Sequence, residues 1–464
     1  MSLQFLLDAF ATDPAADAIV WREQTYPYSW LLARVEHWRA ELRAWQIPAG
    51  AVVAIEADFS PNAVALFLAL LERGTILVPL TSSLAAQRAE LLDTAEVEWI
   101  VNIDSHDQAT ATKRETAAQH EYYQRLRTLG HPGLVLFSSG STGKSKAAVH
   151  DMLGILEKFH VPRHRLRTIS FLLYDHIGGI NTMLYTLSNH GCLVTVQDRT
   201  PDGVLGAVER HRVELLPTSP TFLNMVLMSE AYSRHDTSSL RTVTYGTEPM
   251  PESTLQRFHA LFPTIQLVQT YGLSEVGILR SKSKSSDSLW VKIGGEGFET
   301  RVVDGILEIK ARSSMLGYLN APSPFTADGW FITGDEVEVD GEYLRILGRK
   351  SEIINVGGQK VYPAEVEGII QEIPGVSDAA VYGERNAITG QIVCANVSLR
   401  AEEPPAEFVR RLKQHCRQRL ELFKVPVKVR VVDDAQHGGR FKKMRPHGQS
   451  DTAKAPLTSG ERTP

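Results

Sequence analysis

Over the first three quarters of the chain, apolar helical stretches alternate with short β-branched runs. Ser29 to Leu42 and Ala63 to Arg73 read as helices, Ala51 to Glu56 as a strand, and Thr75 to Pro79 as a buried strand. Further strands are predicted at Leu134–Phe137, Leu193–Val196 and Leu240–Thr244. Strands separated by helices favour parallel sheets with helices on their faces. Near residue 333 the texture changes. Val337 to Ile346 alternates like a hairpin, with Asp340-Gly341 supplying the positive φ of a two-residue turn. A small αβ unit follows. Its first helix is predicted to start at Pro363 and to bury Val366, Ile369, Ile370 and Ile373. A strand near Ile392–Leu399, a helix from Pro405 to Leu422 and a strand near Val425–Val432 complete it. After Pro446 the chain turns to Gly, Ser, Thr, Pro and Lys, the composition of a disordered tail.

Composition narrows the class. The 464 residues allow two or three globular units, and 43% apolar with 22% charged residues argues against a disordered or fibrous chain. Lys plus Arg number 49 against 54 Asp plus Glu, which gives no sign of a nucleic-acid or polybasic membrane surface. Three scattered cysteines, Cys192, Cys394 and Cys416, suit neither a disulfide framework nor a structural zinc site. With no run of eighteen apolar residues and no signal-peptide pattern, the expectation is a cytoplasmic protein without a membrane span.

The chemistry concentrates after Phe137. Ser138-Ser139-Gly140-Ser141-Thr142-Gly143-Lys144-Ser145-Lys146 is almost entirely small, hydroxylated or basic, and follows a buried strand. Such a loop can turn N–H groups, hydroxyls and an ammonium toward a phosphate. Gly143-Lys144-Ser145 could end a Walker-type P-loop, but Ser138 holds the position where that pattern needs glycine. Other segments have candidate roles of their own. Tyr271-Gly272-Leu273-Ser274-Glu275 combines an aromatic face, a hydroxyl and a carboxylate suited to Mg²⁺. Thr333-Gly334-Asp335 offers a further carboxylate in a sequence typical of a β-turn.

These segments, with Tyr245-Gly246-Thr247-Glu248-Pro249, Gly348-Arg349 and Gly357-Gly358-Gln359-Lys360-Val361-Tyr362-Pro363-Ala364-Glu365-Val366-Glu367, closely resemble the ordered motifs of the acyl-adenylate-forming enzymes. That superfamily holds acyl- and aryl-CoA synthetases, luciferases and nonribosomal adenylation domains. Leu71 to Leu80 resembles its N-terminal core motif. The chain departs from the pattern at Ser145, usually Pro, and at Ala147, usually Gly.

The resemblance implies an α/β fold: a large N-terminal domain over 1–348, with parallel or mixed sheets and flanking helices, and a small mobile α+β domain over 349–446, leaving 447–464 as the tail. The hinge would lie at 349–351, where Ser351 stands in place of the usual Asp or Lys. Its implied reaction is activation of a small carboxylic acid by ATP and Mg²⁺ to acyl-AMP, then transfer to a thiol, either CoA or the phosphopantetheine of a carrier protein. Ser138, Ser139, Gly140, Ser141, Thr142, Gly143 and Lys146 would hold phosphates. Ser274 would add a hydroxyl for a phosphate oxygen, and Asp335 would accept from the ribose hydroxyls. Thr247, Glu248, Pro249, Tyr271, Gly272 and Arg349 would hold the rest of the nucleotide, and Glu275 the metal. Gly357 and Gly358 would let the pantetheine arm pass.

His176, in Tyr174-Asp175-His176-Ile177-Gly178-Gly179, resembles the gate between carboxylate and nucleotide in CoA ligases, although Asp175 also suits an amino-acid substrate. Asn181, Thr218, Ser219, Tyr245, Thr247 and Gly277 are candidates for the acid pocket. In the basic run Arg440-Phe441-Lys442-Lys443-Met444-Arg445, the interval from Pro426 puts the adenylation lysine at Lys442, with Lys443 the next candidate and Arg440 the residue if the glycines are aligned instead. A P-loop ATPase or a non-catalytic acyl-binding relative are the readings from other classes.

Overall fold

The computed structural model describes residues 3–139, 145–433, 438 and 443–445, with the side chain of Ser139 excepted. The candidate phosphate residues Gly140, Ser141, Thr142 and Gly143, the lysine candidate Lys442 and the tail read as disordered lie outside the described residues. The chain divides into two compact units, one running to Ser351 and the other starting at Glu352.

In the larger unit, two seven-stranded sheets are parallel in their interiors; the first is antiparallel at both margins and the second at one. The first runs in the order Gly317–Tyr318, Ser145–Asp151, Gly133–Ser139, Ile76–Leu80, Val52–Glu56, Trp99–Ile103, Ala109–Lys113. The second runs Gln266–Gln269, Thr242–Tyr245, Leu215–Thr218, Arg167–Ser170, Cys192–Thr195, Asp17–Trp21, Gln24–Pro27. A six-stranded antiparallel sheet completes the unit and includes Phe331–Asp340 and Tyr343–Arg349.

The helix Pro61–Arg73 shows why the sequence reads so clearly here. Pro61 suits its first position, Ser60 Oγ accepts from Ala63 N at 3.1 Å, and Gly74 takes φ +75° to end it. Every residue from Pro61 to Leu71 is buried, so the helix is apolar on all faces.

The hairpin between the last two strands is displaced by one residue from its expected place. Asp340 pairs with Tyr343, leaving Gly341-Glu342 as the turn, and only Gly341 takes positive φ, at +60°. A single positive φ at the first turn position needs one glycine, and Asp340 remains in the strand.

The smaller unit is a five-stranded mixed sheet with helices Pro363–Gln371 and Pro405–Arg417. Val366, Ile370 and Ile373 are buried as the spacing requires, whereas Ile369 is only partly buried. The second helix stops short of Leu422, which instead begins a 3₁₀ turn and is exposed. All three cysteines are buried and free. Among the described residues no helix is long and apolar enough to cross a membrane.

Candidate functional site

Parallel strands of the second sheet place polar side chains side by side at their carboxyl ends. Thr218, Tyr245 and Gln269 are register partners there. Thr218 Oγ1 and Gln269 Oε1 are buried without a hydrogen-bond partner, as is Thr247 Oγ1 in the following loop. Thr247 also holds φ +75°, a conformation β-branched residues rarely adopt. Native interiors satisfy nearly all such atoms, so these three offer a polar ligand at this sheet edge groups to bond. The carboxyl edge of an open α/β sheet is where ligands of such folds sit. Glu248 is committed elsewhere in part: its Oε1 accepts from Thr221 N at 2.8 Å and from the Thr221 hydroxyl, closing the start of helix Pro220–Ser229.

A second group gathers on Glu275, which is 8% exposed. Its Oε1 accepts from the Tyr318 hydroxyl at 2.7 Å and from Ser138 Oγ at 3.3 Å. The Lys146 ammonium lies over the Tyr318 ring, 5.3 Å from its centre. Of the residues on either side of the phosphate loop, Ser138 therefore contacts the buried carboxylate directly, and Lys146 contacts the tyrosine that donates to it. His150 ties this region together. Its Nε2 lies 2.5 Å from the Ser274 carbonyl and its Nδ1 lies 3.3 Å from that of Ser313, while burial lowers its pKa. A neutral ring has one N–H, and the shorter contact assigns it to Nε2, donating to Ser274.

The third group is Tyr271, Asp335 and Arg349. The Tyr271 hydroxyl donates to Asp335 Oδ2 at 2.5 Å, and Arg349 Nε lies 3.4 Å from Asp335 Oδ1. Asp335 and Arg349 are cross-strand partners in the hairpin. Gly334 turns with φ +74°, and the Thr333 hydroxyl accepts from Asp335 N at 3.0 Å, which fixes the carboxylate against the sheet. Burial first, then the Asp335 charge, pushes the Tyr271 hydroxyl well above its ordinary pKa. Burial and then the Glu275 charge do the same for Tyr318, and Arg349 opposes the rise at both tyrosines. Arg349 thus lies near both groups, with half of its side chain exposed.

His176 caps helix Ile177–Ser188, accepting from Gly178 N through Nδ1 at 3.0 Å, which leaves the proton on Nε2. Gly179 is required by close packing, because an added Cβ would lie 2.0 Å from the Leu173 carbonyl oxygen. Asp175 is buried, and its Oδ2 accepts from the Thr81 hydroxyl at 2.9 Å.

In the smaller unit, Gly357 and Gly358 form the two-residue loop between strands Ile354–Val356 and Gln359–Val361. They take φ +59° and +87°, so the turn itself demands both glycines. Lys443 is buried, pairs with Asp378 and donates to the Ala379 carbonyl at 2.9 Å. Arg445 grips Glu367 through two nitrogens. Tyr318 and the Arg445–Glu367 pair are absent from the sequence reading of the site: Tyr318 carries no local motif, and Arg445 and Glu367 lie in separate segments far apart in the chain.

A buried carboxylate beside a small-residue loop, an acid–arginine pair and unsatisfied polar atoms at a sheet edge are features a nucleotide-binding α/β enzyme needs. The chain belongs to the AMP-binding enzyme family: the family model matches residues 7–305, and that of the AMP-binding enzyme C-terminal domain matches 365–442. An indoleacetate–CoA ligase of Aromatoleum aromaticum is 27% identical, covering 94% of this chain and 95% of its own. A 2-succinylbenzoate–CoA ligase of Enterococcus faecalis is 26% identical over 90% of this chain and 92% of its own. An o-succinylbenzoate CoA synthetase of Bacillus subtilis, solved with its acyl-adenylate intermediate, shares the fold with a TM-score of 0.75 at 21% identity, covering 95% and 96% of the two chains.

Proposed function

We propose that this chain is an acid–CoA ligase that uses ATP to make acyl-AMP, releases pyrophosphate, and transfers the acyl group to CoA with loss of AMP. The observation that carries this reading is the buried Glu275 carboxylate facing Ser138 and Tyr318, with Asp335 and Arg349 close by. The reaction brings a carboxylate onto the α-phosphate, so like charges meet and the enzyme must supply cations. Lys146 and Arg349 stand at this site, and Lys442 is assigned as the third. Arg445, three residues beyond Lys442, is anchored by Glu367, while Lys443 is spent on Asp378 and Ala379. That division of labour supports Lys442 over its neighbour.

Ser138, Ser139, Gly140, Ser141, Thr142, Gly143 and Lys146 are assigned to the phosphates, and Asp335 to the ribose. Tyr271, Gly272 and the Thr247-Glu248-Pro249 loop are assigned to the adenine side, and the Ser274 hydroxyl to a phosphate oxygen. His176 would part the acid from the nucleotide, and Gly357-Gly358 would border the pantetheine. Glu275 fits Mg²⁺ as a single carboxylate, since that ion takes one or two carboxylates and completes its shell with phosphate oxygens and water. Bound there, the ion would neutralise phosphate charge.

Acid-dependent exchange of labelled pyrophosphate into ATP tests the first half-reaction. Exchange that needs an acid supports the reading, and phosphate release without one favours an ATPase. Supplying CoA or a phosphopantetheinyl carrier protein then separates the two acceptors. Thioester formed only on the carrier protein would overturn the choice of CoA.

A further inference from the structure

Lys158 stands in the 3₁₀ turn Glu157–His160, outside every motif discussed above. Its ammonium reaches inward to two neutral acceptors, Asn181 Oδ1 at 2.5 Å and the Ile278 carbonyl at 2.7 Å. Among the described residues no carboxylate comes within ion-pair distance of it. The nearest charged influence is a second cation, Arg280, two residues after Ile278, which also pairs with no acid among the described residues.

An ammonium has three N–H donors; two are satisfied here by oxygen acceptors, and the remaining near neighbour is the Phe159 ring, its centre 5.1 Å from the nitrogen. A desolvated cation beside another cation is costly unless an anion is brought to it. Its situation fits that deficit, because burial and then Arg280 lower the Lys158 pKa to about 7. The bland alternative is a structural cross-link between helix Ile177–Ser188 and the strand Gly277–Ile278. A glutamine-length neutral donor would serve that purpose without the charge.

The position adds direction. Asn181 lies five residues along the helix that His176 caps, about 7.5 Å at 1.5 Å per residue. Ile278 follows Gly277 at the end of the segment that carries Glu275. With His176 assigned to the reacting carboxylate, Lys158 is held by a residue further along the same helix, away from that end.

Resting on the proposed ligase reading, we infer that Lys158 is a specificity-determining residue that receives a second carboxylate at the far end of the substrate. The preferred acids are then dicarboxylates whose two carboxyl groups lie several bonds apart, or aryl acids bearing a distal carboxylate. Arg280 would share the charge.

The test is pyrophosphate exchange on the full-length enzyme with matched pairs: hexanoate against adipate, and phenylacetate against its para-carboxylate. The expected wild-type result is a kcat/KM at least ten-fold higher for each diacid. In Lys158→Met that ratio should fall to about one or below. Lys158→Arg should keep most of the preference. Activity on monoacids with no diacid preference in the wild type overturns this inference and leaves the ligase reading standing. A diacid preference unchanged in Lys158→Met overturns it too. No exchange with any acid overturns the ligase reading itself.

Discussion

Arg445 binds Glu367 by two parallel contacts, Nε to Oε1 at 2.9 Å and Nη2 to Oε2 at 2.7 Å. Glu367, on helix Pro363–Gln371, is 1% exposed and also accepts from Val381 N at 2.8 Å. Arg445 uses its remaining arm on Glu352, at 2.7 Å. A guanidinium fork is the side chain that can make this set of contacts. The pair fixes the chain three residues after Lys442 to the smaller unit.

Arg445→Ala leaves the Glu367 carboxylate buried with only a backbone donor. It should destabilise the smaller unit by about 3–5 kcal/mol, the cost of breaking a buried pair from one side. Arg445→Lys should recover less than half, because an ammonium lacks the fork. Chemical denaturation monitored by circular dichroism measures both. A loss below 1 kcal/mol in Arg445→Ala would contradict the argument.

Lys442 and Lys443 should separate cleanly. Lys442→Ala is expected to lower acyl-AMP formation by about 10²–10³, the effect of removing one transition-state contact. Thioester formation from supplied acyl-AMP should largely survive. Lys443→Ala should instead lower the melting temperature, because it strands the Asp378 carboxylate, which is 13% exposed. Stopped-time assays of each half-reaction, with thermal melts, distinguish them. Equal loss of both half-reactions in Lys442→Ala would reject the assignment.

Glu275→Gln preserves an acceptor for the Tyr318 hydroxyl but removes the charge. Folding should be retained, and pyrophosphate exchange should fall by about 10² or more, as for loss of one charge-stabilising contact. Titrating Mg²⁺ should recover part of the rate. Full activity at low Mg²⁺ would remove Glu275 from the site.

Lys158 sets a pH dependence. Its ammonium titrates at about 7 in the folded chain against 10.5 ordinarily, through burial and then Arg280. Between those values the unfolded chain holds one more proton, so stability rises with pH across that window; below pH 7 the cost of the buried charge is present in full. Lys158→Met lacks this titration. Thermal melts at pH 6.5, 8 and 9.5 should show the wild type gaining on the variant as pH rises. A constant difference would mean the amine is not desolvated.

Much of this was legible in the sequence because the signals were local. The helix Pro61–Arg73 carries its cap, its proline and its closing glycine within fifteen residues, Ser60 to Gly74. The motifs around Glu275 and Asp335 announce their chemistry by residue type and order. Misplacement of the hairpin turn by one residue was also local in origin: Asp340-Gly341 and Gly341-Glu342 share the same glycine, and only the pairing of Asp340 with Tyr343 selects between them.

Other features arise only when distant segments meet. Tyr318 finds Glu275 across 43 residues and Ser138 finds it across 137, contacts that no pattern along the chain contains. Glu248 turns toward Thr221 because a helix begins there, not because of its own motif. The amino-acid order alone determined which chemistry this protein carries, since chemistry follows from residue identity. Tertiary structure alone decided which cations lack a counter-ion, because solvation and charge balance depend on neighbours that folding supplies.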